Sequence, residues 1–468
     1  MAAEYSTAAG LRAAYLASES DPVAVVERAL DQARVAGAEY NAVSVVDERA
    51  LEAARASRAR YAAGESLGPL DGVPVTVKDS FHCAGLPRWH GSAVHDGEPP
   101  SVVDSAPVRR LREAGAVLVA KTTMPDCGAL GSGVSSQFGI IRNPWDPSLT
   151  PGGSSSGAGV CLAAGVTPIA LGTDIAGSVR LPAAHCGLAA LKPTQGRIAY
   201  TPASMTRSAG PMARCVADLE AVMEVVGATD AGDPWSLPGR FSAAGWGVER
   251  VRGMRVGLLT DVGYGLPVEP ETLAVVRGAA DRLSGWGAEV EELSLGLTES
   301  DFQAFDLGFM ARILLEADAA PDGRGELLLP LLKTWGEPVR RASAMEAARA
   351  AQTVRAARDR VLAAVAPFEI VVAPVLPVPT FPAEAAGPVD GVAPLYHAAF
   401  TAWFNQTGQP AASICGGRTS VAGMPIGVQV AGRRFHDADV LRVAHLLEAA
   451  LDLDLPWPGM TEKEAGRD

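Results

Sequence analysis

Between residues 72 and 192 the chain alternates short apolar runs with segments of helical spacing, a pattern that restricts it to a sheet covered by helices on both faces. Residues 73–78 read as the end of a strand. Asp104 or Ser105 then caps a helix that runs to Glu113 and stops at Gly115, and residues 116–120 form a short buried strand. A second unit repeats the order. A glycine turn opens a helix over 154–164, residues 167–172 form a strand, and a new turn carrying Ser178 precedes a helix start at Pro182.

The same reading extends outward. Asp21-Pro22 caps a helix with Val23, Val26, Leu30 and Ala33 on one face, and a second helix covers 47–61. Later elements are a strand at 255–259, a helix at 269–284, a helical stretch over 300–365 and a strand at 369–373. Strands at 411–414 and 426–430 and a helix over 437–451 follow. No internal repeat is present, which argues against a solenoid.

Charge and cysteine usage narrow the function. The net charge of −13 makes nucleic acid and acidic membrane surfaces poor partners. The weakly polar stretch 157–172 is interrupted by Gly159, Gly165, Thr167 and Pro168 and falls short of the ~20 apolar residues of a membrane span. The N-terminus lacks a basic segment followed by an apolar one, so no secretory signal is read. Cys83, Cys127, Cys161, Cys186, Cys215 and Cys415 have no metal-ligand spacing and read as reduced thiols of a cytoplasmic protein.

Lysine is scarce: of the 40 basic residues only Lys78, Lys121, Lys192, Lys333 and Lys463 are not arginine. A lysine closing the apolar run Gly72-Val73-Pro74-Val75-Thr76-Val77 is therefore no leftover of surface composition. Arginine cannot replace a lysine whose task is to lose a proton, because only the lysine pKa falls readily on burial.

Two serines complete the pattern, Ser154 in Pro151-Gly152-Gly153-Ser154-Ser155-Ser156-Gly157 and Ser178 in Gly172-Thr173-Asp174-Ile175-Ala176-Gly177-Ser178-Val179-Arg180. A serine attacking an amide needs a base, a proton route to the leaving amine and donors for the oxyanion. Ser178 fits the nucleophile, and the amides of Ile175, Ala176, Gly177 and Ser178 are candidate oxyanion donors. Neutral Lys78 fits the base, acting through Ser154 in a Ser-Lys variant of the triad that needs no histidine, metal or cofactor. His185 reads as packing. The competing reading is that such turns bind nothing. A phosphate cradle is a further possibility, but the Gly-Lys-Ser/Thr ending of a P-loop is missing.

These residues resemble the amidase signature family. The resemblance runs through Gly72–Asp79, Lys121-Thr122, Arg142-Asn143-Pro144-Trp145, the two serine motifs, Leu191-Lys192-Pro193-Thr194, Gly210-Pro211-Met212-Ala213-Arg214, and the stretches 405–411 and 423–429. It implies Lys78, Ser154 and Ser178 as base, bridging serine and nucleophile, with a cis peptide before Ser154. It also implies Gly128 beside the scissile amide, and Ser155, Asp174 and Arg180 as supports. The implied fold is a single α/β/α domain with a mixed sheet over residues 1–468, which overrides the two to four domains that length alone favours. The motifs occupy 70–215, and a helical and loop elaboration at about 300–390 shapes the pocket, chiefly through 301–335 and 374–388. The expected partner is a small-molecule amide, and the expected assembly is a homodimer.

Three positions depart from the family pattern: Ala176 and Ser156 stand where glycine is frequent, and Arg207 where many members carry Asp. An alanine at 176 is strained if that position requires positive φ. Three functions compete. A free-standing amidase acting on a small or aryl-type amide is the first. The second is the glutaminase subunit of a tRNA-dependent amidotransferase, against which Leu181 stands where that subunit tends to carry Gln. The third, a non-catalytic binding module, is disfavoured because Lys78, Ser154 and Ser178 are all retained.

Overall fold

In the computed structural model, which describes residues 7–458, the strands in chain order are β1 (Val43–Val46), β2 (Pro74–Lys78), β3 (Val117–Thr122), β4 (Val134–Ser135), β5 (Gly139–Ile140), β6 (Ile169–Asp174) and β7 (Ala189–Lys192). They continue with β8 (Ser208–Ala213), β9 (Arg255–Asp261), β10 (Glu289–Ser294), β11 (Ile370–Pro374), β12 (Ala411–Arg418) and β13 (Pro425–Gly432). Eleven of them form one sheet in the order β1-β3-β2-β6-β8-β7-β12-β13-β11-β9-β10, while β4 and β5 pair separately. The sheet is mixed. β3, β2 and β6 run parallel, as do β11, β9 and β10, and the strands between the two groups alternate antiparallel.

Strand alternation sorts the core onto two faces. Val75, Val77, Leu118, Ile169 and Leu171 point to one side and pack with helices Ala106–Glu113, Val216–Val226, Pro270–Gly285 and Asp437–Leu451. Val117 and Val119 point to the other side, against helices Pro22–Tyr40 and Ser156–Ala163. The α/β class with a mixed, doubly covered sheet is the fold expected from the sequence.

Helix Asp437–Leu451 has the expected bounds, and Asp21 caps helix Pro22–Tyr40 through a 2.9 Å bond to the Val23 amide. Other boundaries move. The 167–172 strand begins at Ile169, because Thr167 turns back to bond the Ile169 carbonyl at 3.0 Å. The helix placed at Pro182 begins at Arg180, since a first-turn proline lacks only an amide that has no partner within the helix. The 300–365 stretch is three α-helices, Glu299–Asp318, Pro330–Arg341 and Ala344–Val365. Pro321 and Pro330 mark the first break, and a capping box between Ser343 and Glu346 starts the third helix.

Candidate active site

Period-two alternation decides where Lys78 points. Val75 and Val77 fill one face of β2, so Thr76 and Lys78 face the opposite side. Thr76 there meets Thr167 at 3.4 Å, and Lys78 Nζ lies 2.8 Å from Ser154 Oγ and 3.0 Å from Thr173 Oγ1. The lysine is fully buried. Burial, and after it the positive charge of Arg207, push its pKa well below the ordinary lysine value.

Ser154 is reached through a turn whose Gly153–Ser154 peptide is cis. Helix Ser156–Ala163 follows, and Ser156 Oγ donates to the Gly152 carbonyl at 2.6 Å, a bond that glycine cannot make. The neighbouring Ser155 ties the two motifs together. Its amide donates to the Ser178 carbonyl at 3.0 Å and its hydroxyl to the Thr173 carbonyl at 3.3 Å.

The Ser178 loop leaves β6 at Asp174. The Asp174 carboxylate accepts from the Gly177 amide at 2.7 Å, the Val179 amide at 3.2 Å and Asn405 Nδ2 at 2.9 Å. Arg180, also fully buried, pairs with Asp174 and spends its remaining donors on the Thr401 carbonyl, Gln429 and Asn405. Burial alone would raise the Asp174 pKa, but Arg180 and Asn405 outweigh it and bring it to about 2. The loop is thus held from below by an ion pair.

The Gly177 amide is engaged by Asp174, and of the candidate oxyanion donors those of Ile175, Ala176 and Ser178 are not taken up in this way. Gly177 is required for shape instead: its φ is +126°, and a Cβ would fall 2.4 Å from Thr401 Oγ1. Ala176 is not among the residues of positive φ, so an alanine there is unstrained.

Ser154, Ser178, Gly128 and Ile175 line one cavity together with His90, Met124, Cys127, Thr173, Arg207 and Arg312. Gly128 has φ +66°, and a Cβ on it would approach Ser154 Oγ to 3.2 Å. The cavity is tight, with only about 10 Å³ open to the centres of water molecules. Arg312 comes from helix Glu299–Asp318, within the stretch expected to shape the pocket. The 374–388 loop does not line this cavity. It is tied to another loop by bonds from the Thr150 amide to the Phe381 carbonyl and from the Ala383 amide to the Ser148 carbonyl.

Sequence reasoning missed Thr173, His90, Cys127 and Arg312, and gave Arg207 no role. Thr173 was open to inference: it sits one residue before the end of β6, beside β2. The others reach the cavity only through tertiary packing. His185 does pack, edge-on to Phe381 with ring centres 5.6 Å apart.

Among the described residues, His90, His95, Cys127 and Glu316 bring potential metal-ligating atoms within 4.8 Å of one another. Glu316 is already shared by both imidazoles, with Arg312 Nη1 3.9 Å away. Burial keeps the Cys127 thiol protonated and the His90 imidazole neutral, with its pKa near 3. A neighbouring guanidinium repels a second cation, so this group fits a hydrogen-bonded wall better than a metal centre.

No helix among the described residues is long and apolar enough to cross a membrane. The Amidase family model matches residues 24–441. The chain is 35% identical to a glutamyl-tRNA(Gln) amidotransferase subunit of Symbiobacterium thermophilum, over 98% of this chain and 100% of the relative. It superposes on a bacterial aryl acylamidase of the amidase signature family with a TM-score of 0.86 at 27% identity, covering 99% of each chain. With 6-aminohexanoate cyclic dimer hydrolase the TM-score is 0.83 at 27% identity, covering 96% of this chain and 98% of the other. Likeness that spans nearly the whole chain in both sequence and fold makes this protein a member of the amidase signature family, whose enzymes cleave amide C–N bonds.

Proposed function

We propose that the protein is a free-standing amidase that hydrolyses a small carboxylic amide through an acyl-enzyme on Ser178. The observation that carries this reading is the buried Lys78 amine, 2.8 Å from Ser154 Oγ in the wall of a cavity that also holds Ser178. Uncharged Lys78 takes the Ser154 proton as Ser154 takes that of Ser178. Ser178 Oγ then bonds to the amide carbon, and the carbonyl π electrons move to oxygen, where the amides of Ile175, Ala176 and Ser178 are candidate donors. Collapse breaks the C–N bond, and the proton held on Lys78 passes back through Ser154 to the departing nitrogen. Water attacks the resulting ester along the same route, which releases the carboxylate and restores Ser178.

Labelling with a sulfonyl fluoride or fluorophosphonate, read by mass spectrometry, tests the nucleophile. One adduct is expected on Ser178 and none in Ser178→Ala. An unlabelled native protein overturns the reading. A second reading, the glutaminase subunit of an amidotransferase, is favoured by the likeness to the Symbiobacterium relative. Turnover of amides by the isolated chain supports the first reading. Ammonia release only in the presence of a partner protein supports the second.

A further inference from the structure

The cavity wall contains more positive charge than its neighbours neutralise. Arg312 donates from Nη1 to the Cys127 carbonyl at 3.2 Å, and its Cζ lies 4.9 Å from the centre of the Phe309 ring. Its Nε and Nη2 are shut off from solvent and have no hydrogen-bond partner. Among the described residues the Arg207 guanidinium donates only a long 3.4 Å bond to Tyr200 Oη, with its Cζ 5.7 Å from that ring, and has no ion pair. Both side chains line the cavity of Ser154 and Ser178.

The one carboxylate beside them among the described residues is already divided. Glu316 takes His90 Nδ1 and His95 Nε2 on one oxygen, and its other oxygen lies 3.9 Å from Arg312. Buried guanidinium donors without acceptors are costly, and a planar fork of this kind matches a carboxylate. Burial and repulsion from Arg207 lower the Arg312 pKa only to about 10, so the group keeps its charge at neutral pH.

Building on the amidase reading above, we propose that the substrate is an amide bearing a carboxylate close to the scissile bond, and that Arg312, with Arg207 beside it, receives that carboxylate. The free Nε and Nη2 of Arg312 form the receiving edge. An incoming anion supplies the acceptors they lack and offsets the repulsion between the two arginines. Because the cavity has so little open volume, an entering substrate must displace side chains, and these two are long and rotatable.

The test uses the full-length protein with a matched panel: monoamides of three- to six-carbon dicarboxylic acids, each against its neutral diamide. The wild type is expected to favour at least one monoamide over its diamide by about 100-fold in kcat/KM. Arg312→Gln is expected to bring that ratio to within about threefold of one, chiefly through KM, and Arg312→Lys to restore part of it. Arg207→Gln is expected to lower the ratio by about tenfold. Ser178 labelling by the sulfonyl fluoride, run on every variant, shows whether the site is still assembled. Equal turnover of acid and diamide by a wild type that labels normally overturns this inference and leaves the amidase reading standing. An unchanged ratio in an Arg312→Gln protein that labels normally also overturns it. Failure of the wild type to label removes the amidase reading itself.

Discussion

Arg180 grips Asp174 at two points, Nε on Oδ2 at 3.0 Å and Nη2 on Oδ1 at 2.9 Å, and Ser178 lies on the loop between them. Both partners are fully buried. The same carboxylate holds the amides on either side of Ser178, so the ion pair sets the shape of the loop as well as its stability.

Removing one partner leaves the other as an uncompensated buried charge, a change that costs about 3–5 kcal/mol. Asp174→Ala is expected to lower stability by that order in urea unfolding and to slow Ser178 labelling in the protein that remains folded. The double variant Asp174→Ala, Arg180→Met is expected to lose less than the two single losses combined. Additive losses count against direct coupling of the pair.

The pH dependence of labelling reports Lys78. The proposed relay needs the uncharged amine, so labelling is expected to rise with pH through the lowered Lys78 pKa and then level off. Arg207 is a cation that helps to hold that pKa down. Its removal in Arg207→Gln makes protonation of Lys78 easier, and the rising limb is expected to move to higher pH. Lys78→Ala is expected to lower the labelling rate by about 10²- to 10⁴-fold, the range typical of a lost general base.

Lys192 supplies a stability signature away from the cavity. Its amine is buried, donates to the Pro193 carbonyl at 2.7 Å, and has a pKa brought down by burial to about 7 from 10.5. Between those values the unfolded chain binds the proton and the folded one does not, so this group adds stability as pH rises from 7 to 10.5. The slope is at most about 1.4 kcal/mol per pH unit. Unfolding free energies of wild type and Lys192→Met, measured across that interval, are expected to differ by this slope. Parallel curves contradict the assignment.

The groups proposed to carry the chemistry were legible in the sequence because they sit at the ends of regular elements. Lys78 stood out as a charge closing an apolar strand, and Ser154 and Ser178 as hydroxyls in glycine turns. β8 was not legible. Gly210 and Pro211 interrupt its six residues, and proline ordinarily argues against an interior strand. The structure accommodates Pro211 because β7 pairs only with Met212 and Ala213, so no bond to β7 is lost there. Helix Ala399–Gln406, which brings Thr401 and Asn405 to the Ser178 loop, is only eight residues long and buried nearly all round. It has no polar face to give a helical period. Arg312 was hidden for a different reason: nothing local distinguishes it from the other arginines of a long helical stretch.

Lys78 is the last residue of β2 and Asp174 the last of β6, and these strands are parallel neighbours in the sheet. The spacing between amine and serine loop is therefore gauged by the ladder itself, and slippage by one residue would turn Lys78 toward the opposite helices. Arg312 hangs from a helix outside that ladder. On the proposals above, a lineage can exchange what it accepts by altering one appended helix, while the residues assigned to bond breaking pass on untouched.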